Sequence, residues 1–251
     1  MIEIRSISKK FDGRVILNDI QFVFETGQCN LIIGISGSGK SVLIKCMLGL
    51  LKPEKGYIAY DGLPFLSSTE SKRNLVLHNI GVLFQGNALF DSMTIEENVA
   101  FPLDMFTTLT RLEKNKKVDA VLERVNLKGI NKLKPNEISG GMKKRVGIAR
   151  AIIRMPKFLF CDEPNSGLDP QTSLLIDKLI KEITLDFNMT TVVVTHDMNS
   201  VMEIGNKILF LYKGVKHWEG SNTDIIKAHN QELNDFIFAS DFLKELKLLA
   251  K

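Results

Sequence analysis

The chain has 251 residues, 33 Lys and Arg against 29 Asp and Glu, 44% hydrophobic and 25% charged residues. That is the composition of a globular protein able to bury a full core, as one large domain or one domain with an inserted lobe. The net charge of +4 is small and spread along the chain. It permits contact with phosphates or a membrane-bound partner and argues against a nucleic-acid-binding protein.

The opening "MIEIRSISKKF" alternates apolar and polar residues and is expected as a strand rather than a leader peptide. "RVILNDIQFVF" continues an N-terminal β subdomain, expected to be antiparallel. A short apolar strand, "NLIIG", then enters a glycine-rich turn, and "KSVLIKCMLGLL" has helical periodicity up to Pro53. "GYIAYDG" is a strand ended by Asp-Gly. From about Met93 to residue 140 the character is helical. Thr94 with Glu97, and Thr110 with Glu113, have capping-box spacing, and "NKKVDAVLERVNL" is amphipathic. This stretch is expected as an inserted helical lobe. Apolar strands return in "KFLFCDEP", "TTVVVTH" and "NKILFLY", with helices between them. The fold expected is α/β with a mainly parallel sheet.

Cys29, Cys46 and Cys161 lie in apolar contexts with no metal-ligand spacing, so they are expected as small buried hydrophobes in a reducing, cytosolic compartment. No apolar run approaches the ~20 residues needed to cross a bilayer, so a membrane role must come through a partner.

Gly34-Ile35-Ser36-Gly37-Ser38-Gly39-Lys40-Ser41 has the spacing of a phosphate-binding turn between a strand and a helix. Glycines let backbone N–H groups converge on phosphate oxygens, and the helix start adds the positive end of its dipole. Lys40 is expected to neutralise β/γ-phosphate charge, and Ser41 to offer a hydroxyl to Mg²⁺. "FLFCDE" ends an apolar strand in Asp162 and Glu163, a strand expected to run beside the one feeding the turn. Asp162 suits Mg²⁺ and Glu163 suits a water-activating base, which favours hydrolysis over transfer. His196 ends another strand and could orient that water, whereas His78, His217 and His229 have no such setting. The bland alternatives are a glycine turn without a ligand, a solvated strand end and a surface histidine.

A second glycine turn, Ser139-Gly140-Gly141, also opens a helical run. Lys40's turn already wraps one side of a nucleotide, so the second is expected to close over a nucleotide held by another copy in a two-fold dimer.

Together these motifs resemble the nucleotide-binding subunit of an ABC transporter. Gly34–Ser41 matches Walker A, Gln85 in "VLFQGNALF" the Q-loop, and Ser139–Met142 the signature motif. Phe158–Glu163 matches Walker B, "SGLDP" from Ser166 the D-loop, and His196 the switch histidine. The resemblance implies a P-loop NTPase core over residues 1–231, with the lobe at about 93–140, and ATP and Mg²⁺ as ligands. It implies that Gln85 contacts Mg²⁺ and the water and links the site to the lobe. It places Asp169 at a dimer interface, Val42 beside the nucleotide, and Phe11 where an aromatic stacks on adenine, although a core phenylalanine is nearly as good an account of Phe11. Met142 stands where the signature usually has Gln, and Val42 where Thr or Ser is common.

"SGGM" together with "LFQGNALFDSMTIEENVAFPL" is similar to the ATPase subunits of bacterial Mla-type lipid transporters, which pair with Mce-domain proteins. This similarity implies an ATP-hydrolysing subunit driving lipid, most simply phospholipid, transport through a separate integral membrane permease. The subunit would be peripheral, on the cytoplasmic side of the inner membrane, with a second copy of itself, the permease and an Mce-type substrate-binding protein as partners. The alternatives are an importer subunit for amino acids or other small solutes, a soluble ABC-type ATPase, and a nucleotide-binding regulator without turnover. Residues 232–251, "NDFIFASDFLKELKLLA" within them, are too apolar for a loose end. This extension either packs on its own core or, the expectation preferred here, docks on a second copy or an accessory subunit.

Overall fold

The computed structural model describes residues 1–86 and 88–238. Two sheets share one helical framework. The first is antiparallel, in the order β2-β1-β4-β5: β1 (Ile2–Phe11), β2 (Arg14–Phe24), β4 (Lys55–Tyr60) and the short β5 (Leu63–Pro64). The second runs β10-β9-β3-β8-β7-β6. Its strands are β3 (Gln28–Ile33), β6 (Ile80–Leu83), β7 (Phe158–Asp162), β8 (Thr190–Val194), β9 (Lys207–Tyr212) and β10 (Val215–Gly220). All neighbours in it are parallel except β10, which returns antiparallel along β9.

The helices are α1 (Lys40–Met47), α2 (Glu70–Leu77), α3 (Ile95–Phe106), α4 (Arg111–Arg124), α5 (Gly140–Ile152), α6 (Pro170–Asp186), α7 (Met198–Ile204), α8 (Asn222–Ile225) and α9 (Gln231–Ile237). The lobe holds α3 and α4. Thr94 and Thr110 each cap their helix by accepting from the N–H of Glu97 or Glu113, whose carboxylate accepts from the threonine N–H in return. Neither α2 nor β6 was expected from the sequence. Eight residues and four residues, respectively, carry too little periodicity to stand out.

The parallel strands are covered on both faces, so they read as unbroken apolar runs. Their alternate side chains enter two different cores. Leu31, Ile33, Leu159, Cys161 and Val193 face α3, α4, α5 and α6. Ile32, Phe158, Phe160, Val192 and Val194 face α1 and the antiparallel sheet. All three cysteines are free and buried, and burial pushes the Cys29 and Cys46 thiols up to about 11.

One expectation needs correction. The strand carrying Asp162 does not lie beside the one feeding the phosphate turn, because β8 pairs with both β3 and β7 and separates them. Strand order in a parallel sheet is set by crossovers, which leave no trace in local pattern. The described start of the C-terminal extension packs on its own domain: Leu233, Ile237 and Phe238 are buried in the lobe-side core, and the Phe236 ring lies 5.6 Å from that of Phe210. The remaining apolar residues, Phe242, Leu243, Leu246, Leu248 and Leu249, lie outside the described residues.

Candidate nucleotide site

The turn between β3 and α1 can be built only with glycine at its two ends. At Gly34, with φ +150°, a Cβ would collide with the Leu211 carbonyl oxygen. At Gly39, with φ +105°, it would lie 2.7 Å from Leu17 Cδ2. Lys40 opens α1, and its ammonium donates to the carbonyls of Gly34 (2.7 Å) and Ile35 (3.0 Å). Only 7% of Lys40 is exposed. Burial lowers its pKa, against the opposing pull of Glu163 and Asp162. Ser36, Gly37 and Ser41 face outward, and the buried Ser38 Oγ has no hydrogen-bond partner among the described residues. The side chain of Val42 packs against the core below, which leaves its backbone N–H as its contribution to the turn.

Asp162 and Glu163 follow at the end of β7. Burial, and then the adjacent Glu163, hold the Asp162 carboxyl above its ordinary value. Glu163 adopts a left-handed backbone, φ +48°, and its N–H donates to the Val194 carbonyl at 2.9 Å. Its carboxylate is shared by two side chains from distant parts of the chain. Gln85 Nε2 donates to Oε2 at 2.7 Å, and His196 Nδ1 lies 3.1 Å from Oε1. The interposed β8 is what delivers His196 here. The structure thus brings Gln85, Glu163 and His196 together.

Hard oxygen donors from Ser41, Asp162 and Gln85 suit Mg²⁺, which takes few carboxylates and completes its shell with water and phosphate. The site fits that ion and a nucleotide on two observations: two adjacent carboxyls with one raised by burial, and an orphaned hydroxyl inside a glycine cradle. Among the described residues no cluster of three or more His, Cys, Asp or Glu forms an all-protein metal cage.

Phe11 ends β1 with 42% of its surface exposed and the Lys9 ammonium 5.1 Å from its ring centre, so a flat face is accessible for stacking.

The second turn is differently furnished. Ser139 caps α5, its Oγ accepting from the Met142 N–H at 3.3 Å. A Cβ at Gly141 would lie 2.6 Å from Thr172 Cγ2 at the start of α6. Asp169 caps α6 by accepting from Thr172 N–H (3.0 Å) and Thr172 Oγ1 (2.5 Å), bonds that hold its carboxyl below the ordinary range. Ser139, Gly140, Gly141 and Asp169 line one cavity of about 520 Å³, and no residue from 34–41 lines it.

Three features were missed by sequence reasoning. Lys144 in α5 is buried and donates to the carbonyls of Gln85 and Glu163. Within a run of basic residues it reads as one more solvated charge. Asn98, fully buried in α3, is fastened to both backbone groups of Phe90 and to the carbonyls of Met93 and Thr94. Asn165 Nδ2 donates to Asp177 Oδ1 and to Ser200 Oγ, both at 2.9 Å, tying α6 to α7 beneath the 166–169 turn. Burial pushes the Asp177 carboxyl up to about 6.

A sequence profile described as "ABC transporter" matches residues 17–166. The chain is 37% identical over 212 residues, 84% of its length, to the "Probable ribonucleotide transport ATP-binding protein mkl" of Mycobacterium leprae, and spans 61% of that protein. It is 36% identical to the "Methionine import ATP-binding protein MetN" of Campylobacter jejuni, over 98% of this chain and 78% of that one. Among solved structures, a dimeric bacterial ABC transporter cassette matches at 30% identity with a TM-score of 0.80, covering 88% of this chain and 99% of the other. The same cassette in a post-hydrolysis dimer bound to ADP and Pi matches at 29% identity with a TM-score of 0.79 and the same coverage.

Proposed function

Because the chain belongs to the ABC transporter family as an ATP-binding cassette, we propose that it hydrolyses ATP to drive lipid transport through a separate membrane permease. The observation that carries the hydrolytic part is the Gln85–Glu163–His196 cluster at the strand ends beside the Lys40 turn. Glu163 takes the proton from water as its oxygen attacks the γ-phosphorus, and the bond to the β,γ-bridging oxygen breaks to release ADP and phosphate. Gln85 and His196 hold the carboxylate and the water in place. Lys40 and the N–H groups of residues 34–41 hold the phosphates. Ser41, Gln85 and Asp162 would hold Mg²⁺, which neutralises phosphate charge. Phe11 offers its ring to adenine.

The functional unit is a two-fold dimer. Ser139–Gly141 and Asp169 of one copy close over the nucleotide at the other copy's Lys40 turn. The separate cavity at Ser139 supports this closure.

The permease seats against an apolar groove of about 390 Å³ lined by Leu77, Phe84, Phe90, Pro102 and Phe106. These side chains flank the segment after Gln85. Among the described residues no helix is long and apolar enough to cross a membrane. As the family membership suggests, the chain works peripherally, on the cytoplasmic face of the membrane that holds the permease. The lipid substrate, and an Mce-type partner to present it, are supported by "SGGM" and by the Leu83–Leu103 stretch, which contributes Phe84, Phe90 and Pro102 to the groove. A second reading, methionine import, is supported by the 98% coverage in the match to MetN.

Reconstitution with the permease in proteoliposomes tests both. ATP turnover stimulated by phospholipid and indifferent to methionine supports the lipid assignment. Stimulation by methionine, or by ribonucleotides, would remove it and leave the ATPase standing.

A further inference from the structure

We propose that Lys144 is a positioning residue for ATP hydrolysis, its ammonium fixing the backbones of Gln85 and Glu163 so that their side chains meet. Lys144 lies on α5, just beyond the Ser139 turn, and only 3% of it is exposed. Nζ donates to the Gln85 carbonyl at 2.9 Å and to the Glu163 carbonyl at 3.4 Å. The side chains of those same two residues meet at 2.7 Å. One cation therefore holds both anchors of the amide–carboxylate pair.

A buried ammonium is expensive, and Lys144 forms no ion pair among the described residues. Packing alone would be served by methionine, which has similar length and no charge to desolvate. What the ammonium supplies is directional. Glu163 sits in a left-handed conformation that is costly for a non-glycine residue unless its surroundings hold it. Gln85 sits on an exposed segment with no helix or strand to fix it. Lys144 pins the carbonyl of each. It also makes the helix that begins at the closing turn a direct support of the same chain's water-activating centre.

The inference rests on the assignment of Glu163 as the base, so the test includes Glu163→Gln. Purified full-length Lys144→Met, Gln85→Ala and the double variant are compared for kcat, KM for ATP, affinity for a fluorescent ATP analogue and melting temperature. Lys144→Met should lower kcat about tenfold or more while nucleotide affinity and melting stay near wild type. Its effect should largely disappear on the Gln85→Ala background, because both changes break the same unit. Lys144→Gln, which keeps an N–H donor and is milder in a buried place, should show the same split less strongly. An unchanged kcat, a parallel fall in affinity and melting temperature, or fully multiplicative losses in the double variant would each overturn the proposal. Full turnover in Glu163→Gln would take down the base assignment and this inference together. An inactive Glu163→Gln beside a wild-type Lys144→Met would take down this inference alone.

Discussion

The two glycine turns of this chain start from the same backbone chemistry and end differently. Both put N–H groups at the start of a helix, where an anion is welcome. The turn at 34–41 is packed around with charge: Lys40 is buried inside it, and two carboxylates, a glutamine and a histidine stand nearby at the strand ends. The turn at Ser139–Gly141 holds no lysine of its own and faces a cavity whose charged lining, Arg145, Asp169, Lys178 and Glu182, includes no pair of adjacent acids and no histidine. A phosphate cradle and a catalytic site are therefore separate things. In the proposed function the first turn binds and reacts, while the second completes a site held by another copy.

Glu163→Gln attacks the first turn's side of this contrast and should have the largest effect. The amide keeps the shape but cannot take a proton, so phosphate release should fall by about 10²–10⁴ while ATP binding persists. Binding and phosphate release measured on one preparation check it, and undiminished release would remove Glu163 from its role.

Ser139→Arg attacks the other side. A bulky cation in the closing turn should leave ATP binding intact and abolish the ATP-dependent dimer, as read by size-exclusion chromatography on the Glu163→Gln background. A surviving dimer would mean that the second turn does not close the site.

Helix α6, which starts beside the second turn, is tied to α7 by Asn165, Asp177 and Ser200, and that tie predicts a pH dependence. The Asp177 carboxyl is raised from 3.8 to about 6 by burial, with Asp197 and Glu203 adding to the rise and Asn165 and Ser200 opposing it. The folded chain therefore holds a proton that the unfolded chain gives up. The stability this confers is complete below about pH 4 and is lost as pH rises through about 6. Between pH 5 and 7 the wild type should lose about 1 kcal/mol that Asp177→Asn does not. Urea denaturation of both at the two pH values decides it, and parallel slopes would contradict it.

Gly141→Ala is the finest probe. Its Cβ would meet Thr172 Cγ2 at 2.6 Å, a clash worth about 1–2 kcal/mol. Thr172→Ser removes that methyl and keeps the hydroxyl that bonds Asp169, so the double variant should recover most of the loss in melting temperature. No recovery would place the strain elsewhere.

What could be read from the sequence was whatever is encoded locally. The Gly34–Ser41 spacing, the acid pair ending β7, and the threonine caps at Thr94 and Thr110 are short-range patterns, and they appear where expected. What could not be read depends on contacts across the fold. The insertion of β8 between β3 and β7 follows from a crossover, the burial of Lys144 from which side of α5 faces the sheet, and the partnership of Asn165, Asp177 and Ser200 from the meeting of three elements. A charged or amide side chain deep in a fold looks, in sequence, like one on its surface.

The fastening of Phe90 by Asn98 has a mechanical consequence. From Gln85 to Phe90 the covalent chain can span at most about 18 Å, and along it Arg150 also donates to the Ala88 carbonyl at 2.7 Å. The segment is a leash of fixed length, tied at one end to α3 and at the other to the carboxylate of Glu163. Any tug that a docked partner exerts on the lobe arrives at the reacting centre with little slack to absorb it. In the proposed function the timing of fuel consumption is geared to the posture of the lobe, and lengthening the leash by a few glycines should let the engine idle.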